Sequence, residues 1–310
     1  MIKFSIGIPA YKAKYLEECI NSVLDQTYTD FEVIIINDKS PEALKDIIKK
    51  YNDPRITYYE NDFNIGAENV VDNWNKCLEY AEGEFFILLG DDDILNPNYL
   101  SEFIKLMNKY PELDIYHCRS LIIGNDSQPI NITPALPCFE NLYEFIWHRI
   151  NKHRIQFISD FVYRTVTLKK NKGFYKLPLA WGSDDISAYI ACGSKGIAHT
   201  NCTVFEYRSS DITITNTGNL ELKLKAILLE EEWFKQFLKN TPMPVDFSNK
   251  FYNGILLNNI SLYFRNKKRR IIFQIVKIKQ WKQLFSIVNN LKALGVSRRD
   301  FILSVLGKIE

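Results

Sequence analysis

Residues 84–97 read Glu-Phe-Phe-Ile-Leu-Leu-Gly-Asp-Asp-Asp-Ile-Leu-Asn-Pro. The short, unbroken apolar run from Glu84 to Leu89 is the pattern of a strand buried on both faces, as in a parallel sheet covered by helices. It runs directly into Gly90 and three consecutive acids, Asp91, Asp92 and Asp93. In open α/β sheets ligands bind beyond the carboxyl ends of the strands. Three adjacent acids there repel one another, which favours a cation among them; a solvated turn whose aspartates cap a helix starting near Pro97 fits the same letters.

Outward from this stretch, apolar β-branched runs alternate with helical periodicity, the signature of strands joined by crossover helices. Phe4 to Pro9 reads as a strand and Tyr15 to Leu24 as a helix with Leu16, Cys19, Ile20, Val23 and Leu24 on one face. Phe31 to Asn37 is a second doubly buried strand ending at Asp38, and Ser40-Pro41 predicts a helix N-cap with a first-turn proline. Ile56 to Glu60 fits a third strand and Ala67 to Ala81 a helix. The expected fold is therefore α/β, a mostly parallel, Rossmann-like sheet flanked by helices. From about 130 to 215 the pattern breaks into shorter α+β pieces, then Leu220 to Leu238 and residues 250–305 read as helices. This predicts a domain over 1–215 and a helical, basic region over 216–310.

The strand ends deliver a defined set of residues to one rim: Pro9, Ala10 and Tyr11, then Asp38, then Asn64 to Gly66, then the three acids. Asp38 can accept the ring N–H of uracil or thymine, or a ribose hydroxyl; it can equally make an Asx turn. Tyr11 can stack beside a base or pack on the core. A sugar leaves a pyrophosphate only if the developing charge is neutralised, which a divalent cation on one or two carboxylates does. A second acidic site, Trp181-Gly-Ser-Asp-Asp185, precedes the helical stretch Ile186 to Cys192. An Asp there can take the proton of a sugar hydroxyl, or Ser183 and Asp184 can simply cap the helix.

Composition bounds the rest. At 310 residues and 46% hydrophobic content the chain is long enough for a packed core. Its net charge of +2 hides an asymmetry: residues 1–249 carry 26 basic and 35 acidic residues, whereas 250–310 carry 13 and 2. Six scattered cysteines show no CxxC pair, and read as small buried hydrophobes in a reducing compartment. The N-terminal residues lack the apolar core of a signal peptide, and no apolar run approaches the roughly 20 residues of a membrane span. The expected location is cytoplasmic, at most peripheral on the inner face of the membrane.

Taken together, these segments resemble the inverting family 2 glycosyltransferases with their GT-A fold. The resemblance rests on Ile8-Pro-Ala-Tyr11, Leu16 to Thr27, Phe31 to Ser40, Asn64-Ile-Gly66, Gly83-Glu84, Gly90 to Pro97, and Ser183-Asp-Asp185 with Gly196 beyond; it covers about 1–210. It implies a nucleotide-sugar donor, by preference a UDP-sugar, and a Mn²⁺ or Mg²⁺ cofactor. Pro9, Ala10, Tyr11, Asn64 and Gly66 would line the nucleotide, with Asp38 on its base and Asp91 by the ribose or phosphates. Asp92 would bind the metal with Asp93, and His199 as an additional ligand. Asp185 would be the general base, with Asp184 next, and Trp181 would wall the acceptor, a glycan or lipid-linked hydroxyl; no nucleic acid is expected as a partner. In-line displacement at an α-linked donor would give a β-linked product. Four positions depart from the family: Lys12 where Asn is usual, Lys39 where Gly or Asp is usual, Gly90 in place of the first Asp of Asp-x-Asp, and Asp184 where Glu is commoner beside the base.

Two rival readings use the same pattern. A sugar nucleotidyltransferase needs a glycine-rich basic loop where this chain has Pro9-Ala10-Tyr11-Lys12. A catalytically inactive, sugar-binding relative would keep the pattern almost whole. For the tail, the sequence suggests that Arg265 to Arg270 and the amphipathic stretch Phe273 to Leu294 lie on anionic membrane; a solvated face or an oligomer contact fits as well.

Overall fold

The computed structural model describes residues 4–209, 219–240 and 246–308, and these group into two compact units. The first comprises 4–175 with 184–209, and the second 176–183 with 219–240 and 246–308. The domain boundary expected at 215 lies outside the described residues.

The first unit is built on one ten-stranded sheet. Its opening half follows the sequence closely: β1 (Phe4–Ala10), α1 (Leu16–Leu24), β2 (Phe31–Asn37), α2 (Leu44–Ile48), β3 (Ile56–Glu60), α3 (Val70–Glu79) and β4 (Phe85–Leu88). β3, β2, β1 and β4 lie side by side and are all parallel, so Ala10, Asn37, Glu60 and Leu88 end on one edge. In β4 every residue is buried, and in β2 all but Glu32, which is why both read as unbroken apolar runs. Each such Ile, Val or Phe contributes about 1.5–3 kcal/mol by leaving water. Gly7 lets α3 lie close on β1: a Cβ there would fall 2.7 Å from the Cys77 Cβ and 2.8 Å from the Phe86 ring.

Beyond β4 the sheet is mixed rather than parallel. The remaining elements are β5 (Ile94–Leu95), α4 (Tyr99–Lys109), β6 (Ile115–Ile123), β7 (Pro129–Ile132), β8 (Phe139–Glu140), α5 (Leu142–Ile150), β9 (Phe161–Arg164), α6 (Thr165–Lys170), α7 (Ser183–Cys192) and β10 (Ile197–Arg208). β9 runs antiparallel between β4 and β6, β10 is parallel to β6, and β5 closes the edge antiparallel to β10. Ser40-Pro41 does not open a helix as expected. The Ser40 hydroxyl donates to the Tyr11 carbonyl (2.6 Å) and accepts the Glu42 amide (3.0 Å), and the five-residue α2 starts only at Leu44. Of the six cysteines, Cys138 and Cys202 are exposed.

The second unit is helical: α8 (Leu220–Asn240), α9 (Phe247–Lys277), α10 (Trp281–Asn289) and α11 (Arg298–Val305). Phe234 and Phe264 join α8 to α9 with ring centroids 5.4 Å apart. The basic run 265–270 is partly structural. Lys267 pairs with the buried Glu230 (2.6 Å), Lys268 with Glu231 (2.7 Å), and Arg269 Nε donates to Asp300 (2.9 Å). Only Arg265 and Arg270 of that run are exposed. No helix among the described residues is long and apolar enough to cross a membrane.

Candidate active site

The parallel half of the sheet brings the predicted rim residues together. The Asp38 amide donates to the Ala10 carbonyl (3.0 Å), so the ends of β1 and β2 are tied. The Asp38 carboxylate organises the turn after β3: Oδ1 accepts from Asn61 Nδ2 (2.9 Å) and the Ile65 amide (2.8 Å), and Oδ2 from the Gly66 amide (3.1 Å) and Asn64 Nδ2 (3.3 Å). Asp38 thus does the structural work of holding Asn64 and Gly66 in place. The long Asn64 contact marks Oδ2 as the oxygen best able to exchange a partner for a base N–H.

Asp91 joins this rim from the end of β4. Its Oδ2 accepts the amides of Tyr11 (2.7 Å) and Lys12 (2.8 Å), which fixes the loop after β1 and leaves the Tyr11 side chain 43% exposed. Burial pushes the Asp91 carboxyl up to about 6 against the opposing pull of Lys12, with Asp92 adding repulsion. Pro9 and Ala10 are the last residues of β1, in register with Ile36 and Asn37.

The three acids take three different roles. Asp93 turns inward: its Oδ1 accepts the Arg208 amide (2.9 Å) and its Oδ2 the Ser159 hydroxyl (3.3 Å), and burial followed by repulsion from Asp92 raises its carboxyl well above the usual range. That placement explains Gly90. A Cβ at position 90 would lie 2.7 Å from Asp93 Oδ2, so an Asp here would collide with the inward carboxylate. Asp92 is met by Lys12, whose Nζ lies 2.8 Å from Asp92 Oδ2 and 4.0 Å from Asp91 Oδ1. Burial works to neutralise the Lys12 ammonium, but Asp91 and then Asp92 outweigh it and hold its pKa above the ordinary value. Lys39, another departure, sits at φ 50°, the left-handed region that explains a glycine in the family pattern.

A hard divalent cation fits this donor set on chemical grounds: carboxylate oxygens in excess of the one ammonium that meets them among the described residues, with Asp92 not committed to backbone donors there. Asp93 is a poorer ligand than the sequence suggested, because both its oxygens are engaged internally.

His199 is not brought to the acids at all. It is buried beside Glu140 (Nε2 to Oε2, 2.9 Å) and His117 (Nδ1 to Nδ1, 3.1 Å), and His117 in turn faces Asp160 (3.1 Å). Burial lowers its pKa to about 3, despite Glu140, so it is a neutral core residue. Glu140 is held further by Arg154 and His148. Glu140, Glu144 and His148 lie close enough together to share a cation, yet Glu140 already has its cationic partners.

The second acidic site stands at the start of α7. Asp185 Oδ1 accepts from Arg149 Nε (2.9 Å) and Gln156 Nε2 (2.6 Å), while Oδ2 is met only at 3.2 Å by the same Nε. Burial acting on Arg149 is outweighed by Asp185 and then Asp184, and its guanidinium is held firmly charged. Asn141 caps α5 by accepting the Glu144 amide (3.0 Å), which starts the helix that carries Arg149. Asp184 is half-buried beside it. Trp181 belongs to the second unit, where the Lys223 ammonium lies 4.5 Å over its ring, so one indole face is already covered.

Sequence reasoning missed Arg208, Ser159, Arg149 and Gln156. Arg208 is fully buried; it donates to the Asp92 carbonyl (2.7 Å), the Gly124 carbonyl (3.1 Å), Ser127 Oγ (2.8 Å) and Glu18 Oε2 (2.7 Å), and lies 4.0 Å over the Tyr15 ring. It pins the acidic loop to α1 and β6.

Comparison with known proteins places these features in context. Residues 5–174 match the profile of "Glycosyl transferase family 2". A curated relative, the UDP-Glc:α-D-GlcNAc-diphosphoundecaprenol β-1,3-glucosyltransferase WfgD of Escherichia coli, is 32% identical over 136 residues, 42% of this chain and 52% of that protein. The curated relatives it matches are covered over only part of their own length, from 22% to 52% among the first five. Among solved structures, TarS 1–349 of S. aureus in complex with UDP-GlcNAc superposes with TM-score 0.66 at 18% identity, over 98% of this chain and 89% of that one. The mannosyltransferase PcManGT of Pyrobaculum calidifontis, in complex with GDP-Man and Mn²⁺, gives 0.56 at 14% identity, over 99% and 86%. At these identities the two structures show a shared fold.

Proposed function

This chain belongs to glycosyl transferase family 2, and from that premise we propose that it moves a sugar with inversion from a UDP-sugar to a hydroxyl of a glycan or lipid-linked acceptor. The observation that carries the reading is the Asp91 carboxylate clamping the Tyr11 and Lys12 amides, which ties the end of β4 to the loop after β1 in one acidic rim. Family membership leaves the nucleotidyltransferase reading without support.

In this mechanism the loop after β1 and the Asn64–Gly66 turn hold the nucleotide, with Asp38 Oδ2 accepting a base N–H. Asp92, once Lys12 swings aside, would hold Mn²⁺ or Mg²⁺, a cation that neutralises charge on the leaving diphosphate. Lys12, released from Asp92, would supply a second positive charge beside the acidic rim for the leaving diphosphate. Asp185 is the base: Arg149 and Gln156 fix Oδ1, and the weakly held Oδ2 takes the acceptor proton as the hydroxyl attacks. Support for a UDP-sugar, a lipid-linked acceptor and a β-linked product comes from the relative WfgD, a UDP-Glc-dependent β-1,3-glucosyltransferase acting on a diphosphoundecaprenol-linked sugar, and for a UDP-sugar again from the TarS complex.

A reading as a binding relative without turnover is favoured by one specific observation: each candidate reactive carboxylate, Asp92 and Asp185, is met by a cation, Lys12 or Arg149. Incubation with a panel of UDP- and GDP-sugars and lipid-diphosphate or oligosaccharide acceptors, followed by proton NMR of the product, tests both. A β-linked product from an α-linked UDP-sugar supports the proposal. An α-linked product removes the Asp185 mechanism, and donor binding with no product for any acceptor establishes the binding relative.

A further inference from the structure

We propose that the outward face of α10, with the turn before it, docks on an anionic lipid surface. On this nine-residue helix Ile287 is fully buried, and Leu284 is half-buried. The apolar residues Trp281, Phe285 and Val288 are instead 59%, 70% and 44% exposed, and Ile278 in the preceding turn is 49% exposed. At 3.6 residues per turn, positions 281, 285 and 288 fall within roughly 60° of one another, on the side away from Ile287. The helix therefore carries a second apolar stripe that the core does not use.

Along the chain around that stripe the charge has one sign, and Glu221, which meets the helix at Ser286 (3.1 Å), does so outside the arc of the stripe. Lys277, Lys279 and Lys282 are exposed beside it, and residues 247–299 contain twelve basic residues and no acidic one. An exposed Trp and Phe flanked by lysines is the chemistry of a helix lying in the headgroup region, with the rings among the acyl chains and the ammoniums on anionic phosphates. A second copy of the chain is the poorer occupant, because a two-fold interface sets the same patch against itself and would bring these lysines together. The surface offered to lipid is thus not the run 265–270, whose Lys267, Lys268 and Arg269 are consumed by Glu230, Glu231 and Asp300.

The inference goes beyond the transferase reading and does not depend on it, since vesicle binding needs neither donor nor turnover. Co-sedimentation of the full chain with vesicles of phosphatidylglycerol mixed with phosphatidylcholine, at moderate salt, should show binding, and vesicles of phosphatidylcholine alone much less. The Trp281→Ala/Phe285→Ala variant should bind at least about tenfold more weakly, and Lys277→Gln/Lys279→Gln/Lys282→Gln should lose the preference for the anionic lipid. Trp281→Phe should keep the affinity while removing the blue-shifted part of the tryptophan emission on vesicles. All these side chains are exposed, so unchanged thermal midpoints certify the fold. No binding of the wild type to the anionic vesicles overturns the proposal, as does unchanged binding of the double alanine variant. A dimer in solution that the same variant dissociates, without vesicle binding, would assign the face to a second copy instead.

Discussion

Lys12→Asn should tighten Mn²⁺ binding by about tenfold. The Lys12 ammonium is 2.8 Å from Asp92 Oδ2 and 4.0 Å from Asp91 Oδ1, with side-chain exposures of 23% for Lys12, 13% for Asp92 and 8% for Asp91. Such a half-buried pair falls between a surface pair, worth up to about 1 kcal/mol, and a buried one, worth several. A value of about 1–2 kcal/mol is what a cation must first displace, which corresponds to roughly five- to thirtyfold in apparent affinity. Without metal the variant should be less stable by about the same amount, since the carboxylates lose their ammonium. With saturating Mn²⁺ it should recover, because ligand binding to the folded state adds RT ln(1 + [L]/Kd). Calorimetric titration of Mn²⁺ into the free protein, with thermal unfolding in chelator and in Mn²⁺, reads both effects. Lys12→Met removes the ammonium without adding an amide oxygen and should tighten binding similarly. Unchanged Mn²⁺ affinity in both variants, or equal destabilisation with and without the ion, would refute the reasoning.

Arg208→Met should destabilise the chain by about 3–5 kcal/mol, because it strands the Asp92 and Gly124 carbonyls and Glu18 without their donor. Urea unfolding checks this, and Arg208→Lys should not rescue it, since one ammonium cannot satisfy partners spread around a planar guanidinium. Stability should also fall on mild acidification. With His199 held at about 3 by burial and an ordinary value near 6.5, the unfolded chain takes up a proton below about pH 6.5 that the native state refuses. This contribution is present as stability at neutral pH and is lost progressively as pH falls from about 6.5 toward 3. Urea unfolding at pH 7.5 and 5.5 should show it, and His199→Gln should flatten the slope; an identical slope in both proteins would sink the assignment.

What the sequence made legible follows from what repeats locally. The runs 31–37 and 84–89 are recognisable because strands buried on both faces leave no polar alternation, and the acids that follow them do meet at one edge. The division of labour among Asp91, Asp92 and Asp93 was not legible, because it is set by Ser159 and Arg208, distant in sequence and brought near by β9 and β10. Ser40-Pro41 misled because the Ser40 hydroxyl closes onto Tyr11 across the rim instead of capping a helix. His199 misled for another reason: no letter pattern separates a ligand histidine from one buried on a core glutamate. In the basic run, the pairing of Lys267 and Lys268 with α8 depends on how α8 packs on α9, which periodicity alone does not give.

The most direct test of the central claim is nucleotide release from a UDP-sugar panel with Mn²⁺ or Mg²⁺ and with chelator, for wild type, Asp92→Ala and Asp185→Asn. The account predicts metal-dependent release by the wild type that falls at least about a hundredfold in Asp185→Asn, the lower end of what a general base contributes, with donor binding retained. In Asp92→Ala, release and its dependence on metal should be lost together. Release that persists unchanged in Asp185→Asn, or that ignores both the chelator and the loss of Asp92, would contradict it.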